Sequence, residues 1–200
     1  MQLTNSKAQY GAVAQMLHWL TALFVICGWL LGTFHDDIPK GPIRTAALTA
    51  HITLGELVVV LLIVRLVWRM TDPPPPPVPT RFGWLQQAVA TLTHYVLYGL
   101  LVAVPFFGVL VQLKRGRELP VFGVWNIVSP WPVDKPLARS LLSVHDVLAN
   151  ALLLLSGVHA AAALMRHYVF EDRTLSRMLP VAVRRTRRRR KAGSAPGVSP

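Results

Sequence analysis

The chain is poor in cysteine and in negative charge. Cys27 is the only cysteine in 200 residues, which excludes an internal disulfide and any zinc or iron–sulfur site built on a cysteine pattern. A small core residue is the simpler role for it. Asp and Glu together number 9 against 21 Lys and Arg, a formal net charge of +12. No A-x-A cleavage site follows the first apolar run, which continues as GTFHDDIPK. That run is also too long for a signal-peptide core, so it is expected to be a retained helix. No internal repeat is visible.

Hydrophobic residues make up 52% of the chain. They gather into four runs, Ala12 to Phe34, Thr45 to Trp68, Leu85 to Leu113 and Leu137 to Phe170. Each reaches the ~20 residues that cross a hydrocarbon core as a helix, and the flanks of the last two are expected to project beyond it. The expectation is an all-α integral membrane protein. Residues 1–180 form one four-helix transmembrane domain, running up-down-up-down, and 181–200 form a basic, disordered tail.

The run RRTRRRRK, Arg184 to Lys191, holds seven of the basic residues. In a soluble protein it would suggest nucleic acid. After a membrane helix the positive-inside rule explains it better and puts the C-terminus in the cytoplasm, against anionic lipid. Four crossings put the N-terminus there too. Arg65, Arg69 and Arg81 flank the loop between the second and third helices and agree. In that loop DPPPPPVP, Asp72 to Pro79, ends a helix and favours a stiff polyproline spacer. The outer 3–4 loop, Lys114 to Ala138, carries Trp125 and Trp131, read as interfacial anchors rather than a lid. Pro105 predicts a kink in the third helix.

The chain has seven histidines. His35 falls in an outer loop, where it is solvated. The other six lie within or at the ends of the apolar runs. Any one of them, taken singly, is explained by a hydrogen bond to a neighbouring helix. Their depths argue for more. His18, near the start of the first helix, and His159, near the end of the fourth, fall at one level. His51 and His145, near the outer starts of the second and fourth helices, fall at another. His145 and His159 are 14 residues apart, roughly 21 Å along a helix and nearly on one face. The fourth helix therefore offers two imidazoles inward, one for each of two sites.

Paired imidazoles inside an apolar bundle suit bis-histidine haem, whose iron takes a neutral nitrogen donor on each side. Small residues beside the pairs (Gly55, Gly157 and Ala160 to Ala163) leave room for a porphyrin. Zinc fits less well, since no cysteine or carboxylate cluster completes a tetrahedron. A haem-free proton relay using Glu56 and Asp146 does not require paired levels.

The sequence resembles the bacterial cytochrome b561 family from about Tyr10 to Pro180. The matching stretches are LHW at Leu17 to Trp19, HITLG at His51, VRLVWR, the proline-rich loop, LTHYVLYGLL, SVHDVLAN and GVHAAAALMRHYVFEDRTLSRMLP. The last is the most specific. The resemblance implies two haems b, with His18, His51, His145 and His159 as axial ligands of the haem iron, in a bacterial inner membrane.

Within the family the likeness runs to superoxide oxidases. It implies an oxidoreductase that passes electrons from superoxide at the outer face through both haems to ubiquinone near the cytoplasmic face. His94 and His167 then look like donors to the quinone. Arg81 stands where some members carry a lysine, with a different reach and geometry. The outer loops carry Lys40, Arg44, Lys114, Arg115, Arg117, Lys135 and Arg139 against Asp36, Asp37, Glu118 and Asp134. This rim either steers an anion or is ordinary solvated charge. The alternative function is a cytochrome b subunit that links a redox partner, a dehydrogenase or hydrogenase, to the quinone pool.

Overall fold

The computed structural model describes residues 2–76, 83–172 and 174–179. Arg81, Pro77 to Pro79 of the proline run and the basic tail lie outside these residues. Four long helices dominate: α1 (Ala12–Phe34), α2 (Pro42–Thr71), α3 (Gly83–Lys114) and α4 (Lys135–Tyr168). A 3-10 turn, His35–Asp37, follows α1. A small hairpin of β1 (Leu119–Val121) and β2 (Trp125–Ile127) joins α3 to α4, and a short α5 (Thr174–Met178) follows α4.

All four long helices have the length and hydropathy to cross a membrane. At 34 residues, α4 is about 51 Å long, well beyond the ~30 Å hydrocarbon core, so its ends project as expected. Large apolar side chains face outward along the helices, as with Leu154 at 71% exposed and Val147 at 67%. A surface this apolar is stable only against lipid. The chain is an integral membrane protein.

Local chemistry sets the helix ends. Pro42 opens α2, where its missing N–H costs nothing. Asp134 caps α4 by accepting the Leu137 N–H at 2.9 Å. Pro105 lies inside α3, which runs unbroken through it.

Helices α1 and α2 pack as one antiparallel hairpin and α3 and α4 as another. The core between them is Val58, Leu62, Leu101 and Leu152, with Phe24, Val25 and Leu97 packed against it. One end of the bundle carries the β-hairpin. Its turn places Phe122 (φ 48°) and Gly123 (φ 68°) in left-handed backbone. The Phe122 N–H is anchored on the Glu56 carboxylate at 2.8 Å.

The other end carries the N-terminal segment and α5, knitted together. Asn5 bonds Asp72 and the Pro73 carbonyl. Buried Gln15 donates to the Arg177 carbonyl at 3.2 Å, and the Trp19 indole donates to the Met178 carbonyl at 2.9 Å.

Candidate functional site: two histidine levels in the bundle

A single spacing organises the interior. Each long helix carries two marked residues 14 apart: His18 and Gly32 on α1, His51 and Arg65 on α2, His94 and Gly108 on α3, His145 and His159 on α4. Fourteen residues return a helix to nearly the same face about 21 Å along its axis. The sequence conceals this repeat, because a spacing is not an identity and the intervening residues are mostly apolar. Halfway along each interval stand Val25, Val58, Leu101 and Leu152, all members of the core or packed against it. The bundle is therefore layered, with a polar level near each end and an apolar layer between.

At the hairpin-end level the rings of His51 and His145 face each other, centroids 6.1 Å apart and planes at 81°. The same device orients both rings. His51 Nδ1 lies 2.7 Å from the Gly28 carbonyl oxygen on α1, and His145 Nδ1 lies 2.9 Å from the Val104 carbonyl oxygen on α3. A carbonyl only accepts, so each Nδ1 carries the proton and each Nε2 keeps its lone pair, as a metal-ligating imidazole requires. One turn beyond each carbonyl sits a glycine. A Cβ on Gly32 would stand 2.8 Å from His51 Cε1, and one on Gly108 would stand 3.1 Å from His145 Cε1. These two glycines were not among the small residues singled out in the sequence. The signal was their 14-residue offset from His18 and His94.

At the other level His18 and His159 stand 6.5 Å apart between ring centroids, planes at 70°. His94 joins them, 5.2 Å from His159, with its Nδ1 on the Ala90 carbonyl of its own helix at 2.6 Å. Arg65 completes this level. Its guanidinium carbon lies 5.6 Å from the centre of the Tyr98 ring, one turn after His94, and its charge acts on both His18 and His159. Sequence reasoning gave Arg65 only a topological role.

His167 lies elsewhere, two turns past His159. Its ring packs against Tyr168 at 5.0 Å, and its Nδ1 is 3.3 Å from the Asp172 carbonyl. Beside it Arg166 and Asp172 form an ion pair at 2.5 Å. Asp172 is held below the usual carboxylate range: burial pushes it up, but the Thr174 N–H and the Arg166 guanidinium outweigh that. Glu56 is engaged with the hairpin turn. Trp125 is exposed on β2, and Trp131 lies under the Lys114 ammonium at 5.2 Å.

These dimensions fit haem iron. Two imidazoles on opposite sides of one metal, each nitrogen on the order of 2 Å from it, have ring centres roughly 6 Å apart. Both His51–His145 and His18–His159 meet that spacing, whereas His94–His159 falls short of it. Among the described residues no cluster of three or more histidine, cysteine or acidic side chains is placed to hold a metal ion.

The family described as prokaryotic cytochrome b561 matches residues 9–181. Cytochrome b561 homolog 2 of Escherichia coli (strain K12) is 30% identical over 186 residues, covering 90% of this chain and 95% of that protein. Cytochrome b561 homolog 1 of the same organism is 34% identical over 171 residues, 82% and 93% of the two chains. A protein of Yersinia pestis named probable superoxide oxidase CybB is 31% identical over 174 residues, 86% and 96% of the two chains.

Proposed function

Because the chain belongs to the prokaryotic cytochrome b561 family, and so is a membrane electron-transfer cytochrome that binds b-type haem, we propose that it is a superoxide:ubiquinone oxidoreductase with two haems. In this reading His51 and His145 hold one haem iron and His18 and His159 the other. The observation that carries it is the stacking of two facing imidazole pairs at bis-histidine spacing in one apolar bundle. Haem bound at each pair supplies a one-electron iron couple.

The remaining steps fall to the chain. The hairpin end faces the periplasm and the end with α5 faces the cytoplasm, with both termini there. Two superoxide anions each give up one electron at the outer face and leave as oxygen, with no proton required. Ubiquinone near the cytoplasmic face takes both electrons and two protons.

Arg115 and Arg117 support superoxide as donor. Burial and the neighbouring Arg117 hold the Arg115 guanidinium below its usual value, with Asp146 beside His145 opposing. Both arginines follow α3 at the hairpin end, where an arriving anion relieves their mutual repulsion. The name of the Yersinia relative, probable superoxide oxidase, points the same way. The layer of Val25, Val58, Leu101 and Leu152 excludes water between the levels. On the cytoplasmic side His94 and His167 are the proposed quinone-site residues: with Nδ1 on the Ala90 and Asp172 carbonyls, each Nε2 can accept from a quinol hydroxyl.

The test is an absorbance spectrum of the purified oxidised protein during enzymatic generation of superoxide, with and without dismutase. Rapid growth of reduced b-type bands, abolished by dismutase, is the expected result. Bands that develop only with dithionite would overturn superoxide as donor and favour the subunit that serves a dehydrogenase or hydrogenase.

A further inference from the structure

The 14-residue rule makes the two hairpins of the bundle equivalent. His18 and Gly32 of α1 correspond to His94 and Gly108 of α3, and His51 and Arg65 of α2 correspond to His145 and His159 of α4. At the hairpin-end level the correspondence holds in detail, histidine for histidine and glycine for glycine, down to the carbonyl that receives each Nδ1. At the other level it breaks at one place. The counterpart of the His18–His159 pair is His94 with Arg65, so an arginine occupies the position of an iron ligand.

A guanidinium cannot ligate iron, since it stays protonated and has no lone pair to offer. What it offers is a planar fork of donors for an anion. A cation inside a membrane helix is costly without a partner. All nine Asp and Glu residues lie among the described residues, and none forms an ion pair with Arg65. Its stacking on Tyr98 fixes its direction toward α3. It lies close enough to His18 and His159 to act electrostatically on both. A group held between those histidines on α1 and α4 therefore meets, on the other two helices, a fixed cation and His94.

We propose that Arg65 is the carboxylate-binding residue of the inner level, pairing with the propionate side chains of the haem that His18 and His159 hold. This rests on the reading of His18 and His159 as an axial pair. Arg65 then does two things. It supplies the positive half of an ion pair that no side chain of this protein completes, and it fixes the rotation of the porphyrin about the axis through the two imidazoles. Its charge also favours the reduced iron, because reduction removes one positive charge near the guanidinium.

The experiment uses the intact holoprotein made in cells fed aminolevulinate labelled with 13C at the carboxyl carbon, which marks the propionates. Arg65→Gln, Arg65→Lys and the control Arg69→Gln are compared by redox-difference infrared spectroscopy and potentiometric titration. His18→Ala identifies the inner haem by its loss. In Arg65→Gln the label-sensitive carboxylate bands should shift, and the inner haem's reduction equilibrium should fall about tenfold or more, equivalent to ~59 mV for a one-electron couple. Arg65→Lys should give a smaller fall, and Arg69→Gln should match wild type. Selective loss of the inner haem in Arg65→Gln but not Arg65→Lys would equally support the charge requirement. Both haems present with bands and potentials unchanged in Arg65→Gln would overturn the assignment and leave the axial pair standing. A His18→Ala variant that keeps its full haem content would instead sink the axial pair itself, and the proposal with it.

Discussion

The Nδ1 atom of His51 lies 2.7 Å from the carbonyl oxygen of Gly28, and the ring is seated over Gly32, where any side chain would collide with it. One helix thus both orients and makes room for an imidazole on its neighbour. Gly108 and Val104 do the same for His145. The two seats are not equally tight, and that difference can be measured.

Gly32→Ala should displace the His51 ring, because a Cβ 2.8 Å from Cε1 cannot be accommodated without movement and the carbonyl contact pins the ring. Gly108→Ala places its Cβ at 3.1 Å, which a shift of a few tenths of an ångström absorbs. Overpacking of this kind costs about 1–3 kcal/mol. Haem content per chain, with the electron paramagnetic resonance signal of the low-spin iron, should show a larger loss or distortion for Gly32→Ala. Equal, wild-type signals in both variants would mean that the rings are not held against these glycines.

The ligand assignment predicts a reciprocal pattern. His145→Ala should lose the haem near the hairpin end and the reaction with superoxide while keeping the other haem. His159→Ala should do the reverse. The haem-to-protein ratio should fall from about two to about one in each, with different residual spectra. A variant that kept both haems with unchanged bands would break the pairing.

The sequence carried the four helices to within three residues at every end: the run Ala12 to Phe34 is α1 itself, and α2 extends three residues beyond the predicted Thr45 to Trp68 on each side. Length and hydropathy suffice there, since in lipid a helix satisfies every backbone group by itself. The two histidine levels were also legible, because depth and face follow from counting along a helix.

The β-hairpin was not foreseen, since LPVFGVWNI reads as loop until Glu56, more than 60 residues earlier in sequence, is seen to hold the Phe122 N–H. The glycine seats were missed for the same reason, as a contact between helices leaves no mark within one. Arg65 was hidden by its surroundings. An arginine near a helix end obeys the positive-inside rule whatever else it does.

The apolar layer between the levels predicts a stability effect separable from haem binding. Leu152 is 5% exposed and packs with Val58, Leu62 and Leu101. Leu152→Ala should destabilise the bundle by about 2–5 kcal/mol, read as a lower thermal midpoint in detergent. Haem content should remain that of wild type, because Leu152 is seven residues, about 10 Å, from each histidine of α4.

Asp172 gives the end that carries α5 a pH dependence of known sign. Its carboxyl lies below the usual range in the folded chain: burial raises it, but the N–H of Thr174 and the guanidinium of Arg166 outweigh that. A depressed carboxylate contributes stability that is present above its unfolded value, near 3.9, and is lost as pH falls through the lower folded value. The contribution is local. Asp172 holds the start of α5 through the Thr174 N–H at 2.7 Å, and α5 in turn meets Gln15 and Trp19. Acidification should therefore free α5 before the helices loosen. The protection of residues 174–179 against hydrogen exchange, taken relative to the intrinsic rate at each pH, should fall below about pH 4 while α4 stays protected. Asp172→Asn should show the faster exchange already at neutral pH. If residues 174–179 kept one degree of protection across that range in wild type and variant alike, the Asp172 contacts would not be what secures α5.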